Sequence, residues 1–220
     1  MNAFRADLTN LRHMVSSAAA SDFLDSAGAR TRCLPRAIHQ MARSQIPMVG
    51  FAFPVTTERV DSVPEEHYVG LLASLDAVAA DDVFLISSNG NDDVALWGEL
   101  VSNSCQAKGV AGVVVDGFVR DMTQIDELGF PCFARGTVPY DINGRMEVIG
   151  HGQSVTIGSV VINQGDLIIG DADGIVVVPG DLIGGLLESV TEKTKLETEF
   201  IEALRSGMKI TDAFAKYHVL

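Results

Sequence analysis

Two short runs without a polar residue, Val83-Phe84-Leu85-Ile86 and Val110-Ala111-Gly112-Val113-Val114-Val115, flank a stretch that closes on Gly109. Runs that short and that uniformly apolar predict strands covered on both faces. The intervening segment, from about Leu96 to Lys108, reads as a helix with Gly109 as its C-terminal cap. Strand, helix, strand is a β-α-β unit, so the two strands are expected to be parallel, with a right-handed crossover. Ser87-Ser88-Asn89-Gly90-Asn91-Asp92 leaves the first strand and Asp116-Gly117-Phe118-Val119-Arg120-Asp121 leaves the second. Ligands of parallel sheets gather at these carboxyl ends.

The rest of the chain reads as part of one mixed α/β domain over residues 1–220. Residues 4–30 read as helical, with a second turn starting at Ser21 and a stop at Gly28. A strand is expected over 49–55, and a helix over 68–78 with Val69, Leu72, Leu75 and Val78 on one face. Residues 130–178 hold short strands at 131–134, 147–149, 154–157, 160–162 and 175–178, separated by turn residues. An amphipathic helix over 182–206 ends at Gly207, and a short tail follows.

Sixteen basic against 29 acidic residues give a net charge of −13, which disfavours a nucleic-acid partner. An anionic substrate would then need a local cation, either a metal or a placed Arg. Cys33, Cys105 and Cys132 are far apart and read as buried thiols of a reducing compartment. Arg5, Asp7 and Arg12 fall where a signal peptide needs an apolar stretch, and no run approaches the roughly 18 apolar residues of a membrane span. The expectation is a cytoplasmic protein with no membrane partner.

Nucleotide-loop and nucleophile-turn motifs are absent, the five histidines are scattered, and four of the five lysines lie from Lys193 onward. Oxygen chemistry remains. Arg120 and Asp121 leave a strand end, and the helix near Gly98-Glu99-Leu100 offers unpaired amides that favour an anion. Each feature also has a plain structural reading. Arg-Asp can be a solvated pair, Gly98 a helix-start glycine, and Glu99 a favourable first-turn charge. Asp171-Ala172-Asp173-Gly174 reads as a tight turn rather than a calcium loop, and Glu192, Glu197, Glu199 and Glu202 as a solvated helix face.

Several stretches carry a family resemblance: Ala95-Leu96-Trp97-Gly98-Glu99-Leu100, Gly109 through Asp121, Gly129 through Gly136, and Gly165-Asp166-Leu167 followed by Gly170 through Pro179. The chain resembles the family of class II 4-hydroxy-4-methyl-2-oxoglutarate/4-carboxy-4-hydroxy-2-oxoadipate aldolases and the RraA-like regulators of ribonuclease E activity. The resemblance implies a swivelling β/β/α sandwich, phosphohistidine-domain-like, with N-terminal helices and a C-terminal helix packed on a neighbouring subunit of a homotrimer or homohexamer. Aldolase members carry an acidic residue, twenty further residues, Arg-Asp, then another acidic residue. Glu99 and Arg120 enclose twenty residues, Asp121 follows, and Asp126 is the next acidic position. Glu99 stands where the aldolases compared carry Asp.

By this resemblance Asp121 would be the direct ligand of Mg²⁺ or Mn²⁺, and Glu99 would hold a metal-bound water. Arg120 would grip the substrate beside Gly98, and the amides of Leu100 and Val101 would receive the pyruvyl carboxylate. Glu197, or next Glu199, would reach the metal through water from a neighbouring subunit, with Asp126 as a secondary ligand. The implied activity is metal-dependent cleavage of a 4-hydroxy-2-oxo acid to pyruvate, with oxaloacetate decarboxylation at the same site. The alternative is a non-catalytic, RraA-like, protein-binding regulator of ribonuclease activity on the same fold.

Overall fold

The computed structural model describes residues 8–42, 47–91 and 93–218. Helices α1 (Leu8–Met14) and α2 (Ser17–Ser26) occupy the N-terminal stretch. The continuous helix read from residue 4 is therefore two helices, and its residues 4–7 lie outside the described residues, as does Asp92 of the loop. Ser16 makes the break: its hydroxyl accepts the Ala19 amide at 3.1 Å. The Asp171 carboxylate adds to it, accepting from the amide and hydroxyl of Ser17 at 2.7 and 2.6 Å. The Asp171–Gly174 segment is a strand-to-strand turn, as its sequence predicts.

The elements that follow are β1 (His39–Gln40), β2 (Met48–Arg59), α3 (Val69–Ala77), β3 (Asp82–Ser87), β4 (Ala95–Trp97), α4 (Glu99–Ala107), β5 (Gly112–Asp116), β6 (Phe118–Val119), α5 (Met122–Leu128), β7 (Cys132–Ala134) and β8 (Gly136–Thr137). Then come β9 (Met146–His151), β10 (Val155–Ile157), β11 (Val160–Ile162), β12 (Leu167–Asp171), β13 (Gly174–Val178), α6 (Ile183–Arg205) and α7 (Ile210–Tyr217). Eight strands form one sheet in the order β1-β7-β5-β3-β2-β12-β13, with β9 added on β2. The pairs β2–β3, β3–β5 and β5–β7 are parallel, as the β-α-β reading requires. The sheet curls until its edge strands β1 and β13 approach, so it is nearly closed.

Strand β3 shows why the runs are apolar throughout. Phe84 and Ile86 enter a core shared with Leu71, Trp97 and Ile125, while Val83 and Leu85 enter a second core with Phe133, Ile157 and Val177. Alternate residues thus serve two interiors, and neither face meets water. A third core joins α1, α2 and α6 to β12 and β13 through Leu24, Ile169, Val176 and Leu186.

Several expectations are corrected. Leu96 and Trp97 are strand, not helix; the helix begins at Glu99. The short tail, for which no helix was read, holds α7 over Ile210–Tyr217. Cys33 is exposed, whereas burial pushes the Cys105 and Cys132 thiols up to about 12. No helix among the described residues is long and apolar enough to cross a membrane.

Candidate active site

Three of the parallel strands of the large sheet run on into a short second strand: β3 through a loop into β4, β5 through Gly117 into β6, and β7 through Arg135 into β8. These three form a small parallel sheet in the order β4-β6-β8. Gly117 makes the close turn possible, because a Cβ there would meet Cβ of Ser88 at 3.0 Å. Trp97 registers against Val119, and the Arg120 amide donates to the Trp97 carbonyl at 2.9 Å. The residues just past both strands, 98–101 and 120–121, therefore meet at one edge.

They line a cleft of ≈ 280 Å³ with the expected Gly98, Glu99, Leu100, Val101, Arg120 and Asp121 all on its wall. Asp121 caps α5 in the left-handed conformation, φ 60°. That conformation costs a non-glycine residue about 1–2 kcal/mol, and here it turns the carboxylate back towards α4. Oδ2 of Asp121 accepts the Glu99 amide at 3.2 Å and lies 3.6 Å from Nε of Arg120. Both contacts use Oδ2; among the described residues Oδ1 makes none. The Trp97 indole N–H donates to the Ser102 hydroxyl at 2.7 Å, and that hydroxyl donates to the Gly98 carbonyl at 2.9 Å, fixing the first turn of α4.

Two further residues complete the cleft. Asp141 lies 3.9 Å from Nη2 of Arg120, so the guanidinium sits between two carboxylates at ion-pair distances longer than a hydrogen bond. The Tyr68 hydroxyl donates to the other oxygen of Asp141. That bond, with burial adding to it, raises the Tyr68 pKa above its ordinary value of 10.0. Tyr68 caps α3 with φ 60°, so two of the five positive-φ non-glycine residues among those described flank this cleft. Neither Tyr68 nor Asp141 was expected to take part. Nothing local ties positions 73 apart in the chain, and the only sequence hint is a tyrosine at a helix start.

Other expected residues lie elsewhere within the protomer. Asp126 is exposed on α5, outside the cleft lining. Glu197 stands on α6 beside Lys193, 3.7 Å away, in a separate hollow with Arg12 and Val190. Glu199 is exposed on the same helix.

The donors facing the cleft suit a hard divalent cation. Asp121 offers an uncommitted carboxylate oxygen, Glu99 a second carboxylate nearby, and both side chains reach solvent. No group of three or more His, Cys, Asp or Glu able to hold a metal occurs among the described residues. An ion here would therefore fill its shell with water, substrate oxygens or a neighbouring chain, which is how Mg²⁺ is commonly held.

The family signature described as "RraA-like: Aldolase/RraA" matches residues 17–177. A Halalkalibacterium halodurans protein named "Putative 4-hydroxy-4-methyl-2-oxoglutarate aldolase" is 34% identical over 137 residues, 62% of this chain and 63% of that protein. An uncharacterized Methanocaldococcus jannaschii protein is 32% identical over 128 residues, 58% of this chain and 61% of its own. The chain thus spans less than two thirds of the length of these two relatives. Among solved structures, Streptomyces coelicolor RraAS2 is titled an unusual member of the RNase ES inhibitor RraA protein family. It superposes with a TM-score of 0.75 at 27% identity, covering 87% of this chain and 93% of that one. A Pseudomonas syringae pv. tomato protein gives a TM-score of 0.80 at 28% identity, covering 91% and 93%. With the family signature extending over most of its length, the chain belongs to the RraA-like (Aldolase/RraA) family.

Proposed function

We propose that this protein is a divalent-metal-dependent lyase that cleaves a 4-hydroxy-2-oxo acid to release pyruvate and also decarboxylates oxaloacetate. The observation that carries the reading is the meeting of Asp121, Arg120 and the N-terminus of α4 in one cleft. Asp121 would hold the cation, with Glu99 beside it; Mg²⁺ and Mn²⁺ both suit such oxygen donors. When bound, the cation supplies a Lewis acid for the negative charge that grows on the keto oxygen as the C3–C4 bond breaks. Arg120 has no close hydrogen bond to either flanking carboxylate, so its N–H groups are available to the substrate oxygens and share in stabilising that charge. The amides of Leu100 and Val101, in the first turn of α4, receive the pyruvyl carboxylate. Asp141, held by Tyr68, keeps the guanidinium over the cleft.

Assembly into a homotrimer or homohexamer belongs to the same proposal. It would bring Glu197, or Glu199, of a neighbouring subunit to the site, with Asp126 as an outlying carboxylate. Exposed Ile201, Ile210 and Phe214 on α6 and α7 support such a contact. Likeness to RraAS2 favours a second reading, a protein-binding regulator that needs no metal.

One assay separates the two. With Mn²⁺ or Mg²⁺ the protein should release pyruvate from oxaloacetate, EDTA should stop it, and Asp121→Ala should lack it. Arg120→Lys should retain folding and lose about 10²–10³ in turnover, the usual cost of one charge stabiliser. Wild-type turnover by Asp121→Ala in metal-stripped buffer would reject the assignment of the metal to Asp121, and no pyruvate release from the wild type with either metal would reject the lyase reading.

A further inference from the structure

Three neighbouring strands of the large sheet end on polar residues that stand side by side. Ser87 closes β3, Asp116 closes β5, and Arg135 follows β7. Ser87 and Asp116 are in register, and the Ser87 hydroxyl donates to Oδ2 of Asp116 at 3.0 Å. Nη2 of Arg135 meets Oδ1 of the same carboxylate at 2.5 Å, and the Asp116 side chain is only 8% exposed. Two residues earlier in each case, Leu85, Val114 and Phe133 belong to the second core, so the polar row lies at the end of that core.

Stability does not account for a buried ion pair at this place. Withdrawing two charges from water costs about as much as their attraction returns, and apolar residues of similar volume commonly do as well. Such a pair can instead select one geometry, because a partner left unmatched would be costly. This pair stands where the two sheets branch. Asp116 precedes Gly117 and β6, Arg135 directly precedes β8, and the Arg135 amide donates to the Gly117 carbonyl at 2.9 Å.

The small sheet needs a constraint from outside. Its strands have three, two and two residues, too few to hold a register alone. On one side β6 meets β4; on the other it meets β8, where the Val138 amide donates to the Val119 carbonyl at 3.0 Å. Arg120 and Asp121 follow β6 at once, and the left-handed backbone of Asp121 persists only where its surroundings over-determine it. The Asp116–Arg135 contact ties the entry of β6 to the entry of β8, just ahead of both residues.

We infer that Asp116 and Arg135 are positioning residues: their ion pair sets β6 against β8 and so fixes where Arg120 and Asp121 stand in the cleft. The inference rests on the lyase reading for the chemistry it serves. Neither residue is on the cleft wall, so the effect runs through β6.

The test separates geometry from stability, with every reading taken on the intact protein well below its melting temperature. In Asp116→Leu/Arg135→Met both charges go together and none is left stranded, so the melting temperature should stay near that of the wild type. Arg135→Lys keeps the charge and loses the planar fork. In both variants kcat for Mn²⁺-dependent pyruvate release from oxaloacetate should fall at least about tenfold, part of the roughly 10²-fold that an ångström of misplacement costs. The Kd for Mn²⁺, read from the electron paramagnetic resonance of the free ion, should rise with it as Asp121 shifts. Wild-type kcat and Mn²⁺ affinity in both variants would overturn the inference, whatever their melting temperatures, and leave the pair purely structural. If the wild type binds Mn²⁺ but releases no pyruvate, the lyase reading fails alone, and the Mn²⁺ affinities of the variants decide whether the pair places Asp121. If it neither binds Mn²⁺ nor releases pyruvate, both fall together.

Discussion

A Cβ placed on Gly98 would lie 2.7 Å from Oδ2 of Asp121 and 3.2 Å from Cγ of Arg120. Gly98 is buried, and its backbone is extended, φ −162°, so any residue could adopt it. The requirement is for space beside two charged side chains of the cleft. Because the nearer atom is the mobile end of Asp121, Gly98→Ala should barely move the melting temperature. It should lower pyruvate release by about 10²-fold, the usual consequence of misplacing a reacting group by roughly an ångström. A thermal melt and a turnover assay on the same sample check both halves; full activity in Gly98→Ala would show that the carboxylate position is not critical. At this scale the nearness of Arg120 and Asp121 to a strand end was legible in the sequence, whereas Gly98 and Glu99 were read at a helix start with no sign of β4 before them. Tyr68 and Asp141 were not legible, since their pairing exists only once the chain has folded.

A helix over Val69–Ala77 was readable, but not its face: Val69 and Leu72 are exposed while Leu71, Ser74 and Leu75 are buried, and its seat on the sheet depends on one glycine. A Cβ on Gly70 would fall inside the Val148 carbonyl of β9, a backbone group that cannot rotate away. Gly70→Ala should therefore push α3 off β9 and cost about 1–3 kcal/mol, read as a lower urea midpoint. It should also raise KM for a 2-oxo acid, because α3 carries Tyr68 and Leu72; an unchanged midpoint would contradict the tight seating. Other elements were less legible for physical reasons. Leu96 and Trp97 suit a helix or a strand equally, and a partner strand more than twenty residues away decides between them. Strand β12 follows the turn-like Gly165-Asp166 and is held between β2 and β13, again by distant partners. Helix α7 has eight residues, too few to stand without α6 beneath it.

For the whole molecule, the parallel β-α-β core and the mixed α/β class were readable from runs of valine, leucine and isoleucine, whereas the near-closure of the sheet was not. Closure depends on the edges β1 and β13 meeting, and two residues of β1 carry no pattern. The proposed assembly has its own check at this scale. Phe214 is 47% exposed on α7, so Phe214→Asp should leave the protomer folded yet shift sedimentation to a smaller species. Pyruvate release should fall with it if a neighbouring glutamate completes the site. An unaltered sedimentation coefficient would place the contact on another face.

The small sheet β4-β6-β8 has an evolutionary corollary. By setting Trp97 in register with Val119, it holds Asp121 and Arg120 as one unit, while Leu71, Leu72 and Leu75 reach the cleft from a separate helix seated on β9. The charged residues of the proposed chemistry and the apolar wall facing them thus stand on different pieces of the chain, so α3 could be altered without moving Asp121 or Arg120.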